Sequence, residues 1–228
     1  MTRFIATKEG FSVSSDYVSF RAEQPMKTLS SAVHNAGLGS YRAFVNRSVD
    51  LHYNVDDAQA EMAAYLEQQG FQPAETVGMM TAVSTEHVEI GQYDGDFGSI
   101  LVAVTAGVGN AVDVSQALTR EEEQKIGTIN TWVIVNGDLS DEAFVQAVIT
   151  ATEAKVKALQ DEAIQDPLTG TIATGTSTDS VLVAATQQGV HFPYAGTVAP
   201  LGTLVGHGVY DCTVRALRAY KKVNGWET

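Results

Sequence analysis

The short apolar runs in the first half of the chain limit its fold more than any other feature. Runs at 11–13, 17–21, 29–33, 41–45, 76–83, 87–90 and 99–105 combine β-branched and aromatic residues. Turn residues such as Ser14-Ser15-Asp16, Asn35-Ala36-Gly37 and Asp94-Gly95-Asp96 bound them. They predict strands. One helix interrupts the series, over 56–69, where Asp56 and Asp57 open it against the helix dipole and Gly70 stops it. The second half alternates differently, with strand 128–135, helix 141–160, strand 181–185 and a last helix over 201–222. Hairpins with few helices predict an α+β fold. A single domain over residues 1–228, with mixed β-sheet layers covered by a few helices, fits better than a doubly wound parallel sheet.

Composition narrows the class of function. A chain of 228 residues suits one large domain, and no Pro/Gly/Ser-rich stretch or charge run divides it. The 14 Lys and Arg are scattered singly or in pairs under a net charge of −13, so no nucleic-acid partner is expected. An acidic surface favours a neutral or cationic ligand, although it also serves simply to keep a protein soluble. The start lacks a secretory h-region and every apolar run falls short of a membrane span. A cytoplasmic protein with no membrane partner is therefore expected. The lone Cys212 excludes an internal disulfide and a cysteine-built zinc or iron–sulfur site. No metal and no cofactor is expected. The oligomeric state stays open, a homo-oligomer included.

In helix 141–160, Phe144, Val145, Val148, Ile149, Val156 and Leu159 recur at helical spacing and predict one buried stripe. Lys155 projects onto the edge of that stripe, near Phe144 and Val148, with Glu153 on the opposite flank. Burying an unpaired ammonium is costly, so Lys155 either snorkels to solvent or meets a partner.

The common hydrolase signatures are absent: there is no Gly-x-Ser-x-Gly elbow, His-Glu-x-x-His helix or Walker loop. Gly107-Val108-Gly109-Asn110 only half resembles a dinucleotide fingerprint and reads better as a tight turn. Instead, short polar turns recur beside apolar strands. They are Ser31-Ala32-Val33-His34-Asn35-Ala36-Gly37, Met80-Thr81-Ala82, Thr105-Ala106-Gly107-Val108-Gly109-Asn110, Gly127-Thr128-Ile129-Asn130-Thr131, Thr174-Gly175-Thr176-Ser177-Thr178-Asp179 and Tyr194-Ala195-Gly196-Thr197. Hydroxyls and amides at strand ends are what a pocket uses to grip amides and carbonyls. Candidate binding residues are thus Asn35, Asn46, Thr81, Thr105, Asn110, Thr128, Asn130, Thr174 and Thr178. Among the histidines, His34 and His52 flank these turns, within reach of a ligand. His87 and His191 have no partner at metal-ligand spacing, and His207 faces away from the apolar stripe of the last helix, as a solvated surface residue does.

These stretches, with Val45-Asn46 and Ala151-Thr152-Glu153-Ala154-Lys155, resemble the adenosylcobinamide amidohydrolase family, above all through Gly-Thr-Ile-Asn and Thr-Gly-Thr-Ser-Thr-Asp. The resemblance runs from about Ser30 to the end of the last helix. Two departures stand out. Ala36 replaces a glycine that family members often carry, and 113–125 is rich in charge, with Arg120-Glu121-Glu122-Glu123-Gln124-Lys125. The resemblance implies hydrolysis of the amide joining a corrin-ring propionate to aminopropanol, giving adenosylcobyric acid for cobamide salvage. The implied partner is thus a small-molecule corrinoid, adenosylcobinamide, and the alternative is a non-catalytic corrinoid binder or carrier.

The reaction then has to be run by residues. Enzymes remove about 8–23 kcal/mol from a barrier, and without a metal this comes from positioning, oriented donors and a base. Asp179 is the first candidate base and Glu153 the second. Lys155 and backbone N–H groups of the Gly/Thr turns are candidates for stabilising the oxyanion. Thr176 and Thr178 are candidate nucleophiles, each needing an adjacent base. Direct attack by water is the preferred reading, with a threonine ester left open.

Overall fold

The structure, a computed structural model, describes residues 5–119 and 127–226, so the charged run 120–125 lies outside the described residues. Strands β1 (Phe11–Val13), β2 (Tyr17–Ser30) and β3 (Gly37–Ser48) lead into helix α1 (Ala58–Gln68). Then come β4 (Thr76–Thr81), β5 (Glu89–Gly95), β6 (Gly98–Ala106), β7 (Ala111–Val112), β8 (Ile129–Val135) and β9 (Asp138–Leu139). Helix α2 (Asp141–Asp161), strands β10 (Gly175–Thr176), β11 (Ser180–Ala185) and β12 (His191–Phe192), and helix α3 (Pro200–Val223) complete the chain. The main sheet runs β4-β3-β2-β11-β8-β6-β5, with β1 beside β2. Within this sheet the pairs β3–β4 and β8–β11 are parallel and the others antiparallel, which makes it the mixed sheet of an α+β domain.

Where the sequence suggests two strands, at 17–21 and 29–33, there is one long strand, β2. Its pairing with β3 shifts register between Arg21 and Met26, around Pro25, which has no N–H to give a ladder. β3 pairs with β2 on both sides of the shift, but the other edge of β2 changes partner, from β1 along residues 18–20 to β11 along residues 27–30. The sheet therefore bends over itself. Val18, Phe20, Phe44, Val77 and Met79 on one half meet Leu101, Ala103, Trp132, Ile134, Leu182 and Ala184 on the other. The alternate residues of the same strands point outward. Ile100, Val102, Val104, Val133 and Val183 pack under α2 and α3, while Ala43 and Val45 pack under Met62 and Leu66 of α1. Period-2 alternation along strands buried on both faces produces a helix–sheet–sheet–helix layering.

Helix α2 starts where expected, with the Ser140 hydroxyl accepting from the Ala143 N–H at 3.1 Å. Its buried face differs from the expected stripe. Ala143, Phe144, Ala147, Ala151, Ala154, Ala158 and Leu159 face inward, whereas Val145 and Ile149 are 54% and 51% exposed. Alanines let the helix lie close to β11 and α3, and larger side chains at those positions would hold it away. Hydrophobicity alone favoured Val145 and Ile149, but contact distance favoured the alanines.

Candidate functional site

Lys155 and Asp179 form an ion pair over the first residues of β8 and β11. Helix α2 carries Lys155 there one turn after Ala151. Strand β10 pairs with β7 and fixes the turn leading to Asp179. The side chains are only 13% and 17% exposed. The Asp179 carboxylate accepts from the Lys155 ammonium, from the Thr176 hydroxyl at 2.5 Å, from the Thr176 N–H at 3.1 Å and from the Ile129 N–H at 2.9 Å. Four donors on one carboxylate make a hub that ties α2, the Thr-rich turn and β8 together. Gly175 is required by this contact: a Cβ there would stand 2.4 Å from Asp179 Oδ2 and 2.8 Å from Lys155 Nζ. Lys155 and Asp179 line a cavity of about 90 Å³ with Ile129, Thr131 and Ala151. Lys155 has no second acceptor among the described residues, so its remaining N–H groups are free to meet a guest in that cavity.

A larger cleft, about 490 Å³, adjoins this one at Ser180, which lines both. Its floor is polar and tightly bonded. The Thr128 hydroxyl lies 2.9 Å from both Asn130 Oδ1 and the Thr178 carbonyl. Asn130 Nδ2 donates to Asn46 Oδ1 and to the Met80 carbonyl, each at 2.8 Å, and Asn46 Nδ2 donates to the Thr105 hydroxyl at 2.9 Å. This chain closes one end of the core between the two half-sheets, since residues 46, 105 and 130 share the inward parity of Phe44, Ala103 and Trp132. The Thr178 hydroxyl, on the cleft wall, donates to the Gly127 carbonyl at 2.7 Å.

The opposite wall comes from the loop between β3 and α1 and from the start of α1. Tyr53 and Gln59 line the cleft with Val33, Val49 and Met80. The Tyr53 hydroxyl donates to Glu61 at 2.8 Å, and Arg47 donates to both oxygens of Glu61 at 2.6 Å. Arg47, and to a lesser degree Tyr53, hold the Glu61 carboxyl below its usual range against the opposing effect of burial. Burial pushes the Tyr53 phenol up to about 12, helped by Glu61, so it stays neutral.

The structure thus brings Lys155, Asp179 and Thr176 together, and beside them Asn46, Thr105, Thr128, Asn130 and Thr178. It places the others elsewhere. Glu153 is exposed in a separate groove between α2 and α3, away from Asp179. The Asn35 side chain donates to the Pro73 and Thr76 carbonyls, both at 2.8 Å, and holds its own backbone at a φ of 56°. His34 Nε2 meets the Pro73 carbonyl at 3.0 Å. Asn110 donates to the Ser177 hydroxyl at 2.8 Å, Thr174 accepts from the Val114 N–H at 3.0 Å, and buried Thr81 accepts from the Val83 N–H at 3.2 Å. Sequence reasoning missed Ser31 and Ser180, whose hydroxyls meet at 3.1 Å between the two cavities. Adjacency to the quoted turns could have found them. It also missed Tyr53 and Gln59, for which no local signal exists.

The sequence profile described as adenosylcobinamide amidohydrolase matches residues 2–225. This chain belongs to the adenosylcobinamide amidohydrolase family. An adenosylcobinamide amidohydrolase of Methanosarcina mazei is 26% identical over 200 residues, covering 84% of this chain and 88% of that protein. One of Halobacterium salinarum is 30% identical over 156 residues, 66% of this chain and 61% of that protein. The PH0078 protein of Pyrococcus horikoshii superposes with a TM-score of 0.51 over 96% of this chain and 81% of that one, at 8% identity, a likeness of fold alone. Among the described residues no three His, Cys, Asp or Glu side chains converge as a metal site, and no helix is long and apolar enough to cross a membrane.

Proposed function

We propose that this amidohydrolase cleaves the amide between the corrin-ring propionate and aminopropanol of adenosylcobinamide, in the cytoplasm and without a metal. Water adds to the amide carbon, the C–N bond breaks, and the products are adenosylcobyric acid and protonated aminopropanol. The observation that carries the reading is the Lys155–Asp179 pair, because a mostly buried ammonium with spare donors faces a cavity next to a polar cleft. Lys155 stabilises the developing oxyanion there, and one well-aimed donor of this kind is worth about 2.7–4 kcal/mol. Asp179 orients Lys155. By exchanging one of its donors for water, it also accepts the proton that the attacking oxygen loses. The same proton then goes to the leaving amine. The cleft of about 490 Å³ falls within the range of small-molecule sites and takes part of the corrinoid, whose amides suit its Thr, Ser and Asn walls.

A direct assay tests this. Pure protein incubated with adenosylcobinamide should release aminopropanol, and prior exhaustive chelation should leave the rate unchanged. Tight binding without release would favour a corrinoid carrier, and loss of activity on chelation, restored by a divalent ion, would overturn the metal-free route.

A further inference from the structure

The loop between β3 and α1 supplies Tyr53, the one aromatic ring that lines the larger cleft among the described residues, and the first turn of α1 supplies a side-chain amide to the same cleft, Gln59. The polar end of this ring is already engaged. Its O–H is tied back to Glu61, and the Arg47 guanidinium stands 6.0 Å from the ring centroid. Arg47 is in turn clamped by its paired bonds to Glu61 and rests 4.0 Å from the Tyr65 ring centroid. Neighbours on the same loop, Leu51 and Val55, are apolar and exposed at 59% and 38%. A ring with its polar end engaged and a primary amide lining the same cleft together fit a flat heteroaromatic guest. Such a guest stacks by its face and pairs through its edge, as adenine does with the amide of Gln.

We infer that Tyr53 and Gln59 form the pocket for the adenine of the substrate's upper adenosyl ligand. The inference rests on the corrinoid reading of the cleft and adds to it a basis for selecting among corrinoids. A corrin ring does not offer the same surface, because its saturated carbons carry methyl groups and amide arms on both faces. Adenine is bare on both. The Arg47–Glu61 pair acts as a positioning device that holds the ring in place.

The test compares two ligands and three side chains. Binding of adenosylcobyric acid, and of cobyric acid carrying cyanide in place of adenosyl, is measured by absorbance titration. Steady-state KM is measured with the corresponding cobinamides. Wild type should bind the adenosyl form about tenfold more tightly than the cyano form, the scale of one stacked base. Tyr53→Leu and Gln59→Leu should erase that preference, and Tyr53→Phe should keep it, since the ring remains. Melting curves confirm that each variant is folded. Equal affinity of wild type for both forms overturns the inference, as does a Tyr53→Leu protein that weakens both forms alike, which would put the ring against the corrin. Adenosyl-selective binding without hydrolysis would sink the proposed reaction and leave this pocket standing. Hydrolysis without adenosyl preference would do the reverse.

Discussion

At the scale of single residues, the chemistry turns on what Lys155 and Asp179 are already bonded to. Lys155→Met keeps the stem and removes the charge. Asp179 would still receive the Thr176 hydroxyl and N–H and the Ile129 N–H, so the stranded carboxylate keeps most of its solvation. The loss of stability should therefore fall below the 3–5 kcal/mol of a fully broken buried pair, at about 1–3 kcal/mol. The same variant should lower kcat at least tenfold. A Lys155→Met protein with the wild-type rate would remove the ammonium from the mechanism. Asp179→Asn is the harsher change, because an amide N–H₂ must face donors that now meet a carboxylate oxygen. We expect a loss of about 3 kcal/mol, read as a fall of roughly 6–12 °C in Tm, together with loss of turnover. An Asn variant that melts like wild type would show that the hub carries no structural weight and that the carboxylate acts in chemistry alone.

At the scale of elements, the loop after β3 depends on a clip of three side chains, Arg47, Glu61 and Tyr53. Its pH dependence follows from the two shifts. Glu61 titrates below its ordinary value of 4.5 in the folded state, so its contribution is complete above about 4.5 and fades as pH falls through the lower folded value. Tyr53 is raised from 10.0 to about 12, so its contribution is complete below about 10 and fades toward 12. The clip should therefore hold between these limits. Hydrogen exchange of the loop amides, corrected for intrinsic rates, should rise below about pH 4.5 before the whole protein unfolds; a loop that loosens only with global unfolding would show that the clip adds nothing. None of this was legible in the sequence, because Arg47, Tyr53 and Glu61 lie on a strand, a loop and a helix that meet only once α1 has docked. What was legible obeyed local rules. Strand and helix positions followed from periodicity, and the Thr-Gly-Thr turn stood out because its glycine is demanded by the ion pair that crosses it. The inward face of α2 was misread at Val145 and Ile149 because hydrophobicity does not report how closely two elements approach.

At the scale of the whole molecule, the bend in β2 sets the site. By folding the sheet over itself it brings Asn46 of β3 against Thr105 of β6 and Asn130 of β8, which face each other in the β6–β8 ladder but share no ladder with β3. The sequence flagged these amides as ligand-binding groups, and the structure finds them 3% or less exposed, bonded to one another at the end of the inner core. Buried polar groups that satisfy each other specify which two half-sheets meet and in what register. The cleft then inherits a rigid floor, where Asn130 lines it beside Thr128 and Thr178 while Asn46 lies behind. This makes a measurable forecast. Asn46→Ala leaves Asn130 Nδ2 and the Thr105 hydroxyl each without one partner, which should cost about 2–3 kcal/mol. Combined with Asn130→Ala, the double variant should lose less than the sum of the two, with a coupling of at least about 1 kcal/mol in a double-mutant cycle. If Asn46 instead binds substrate directly, Asn46→Ala would melt as wild type does and raise KM, and the floor of the cleft would have to be redrawn as part of its wall.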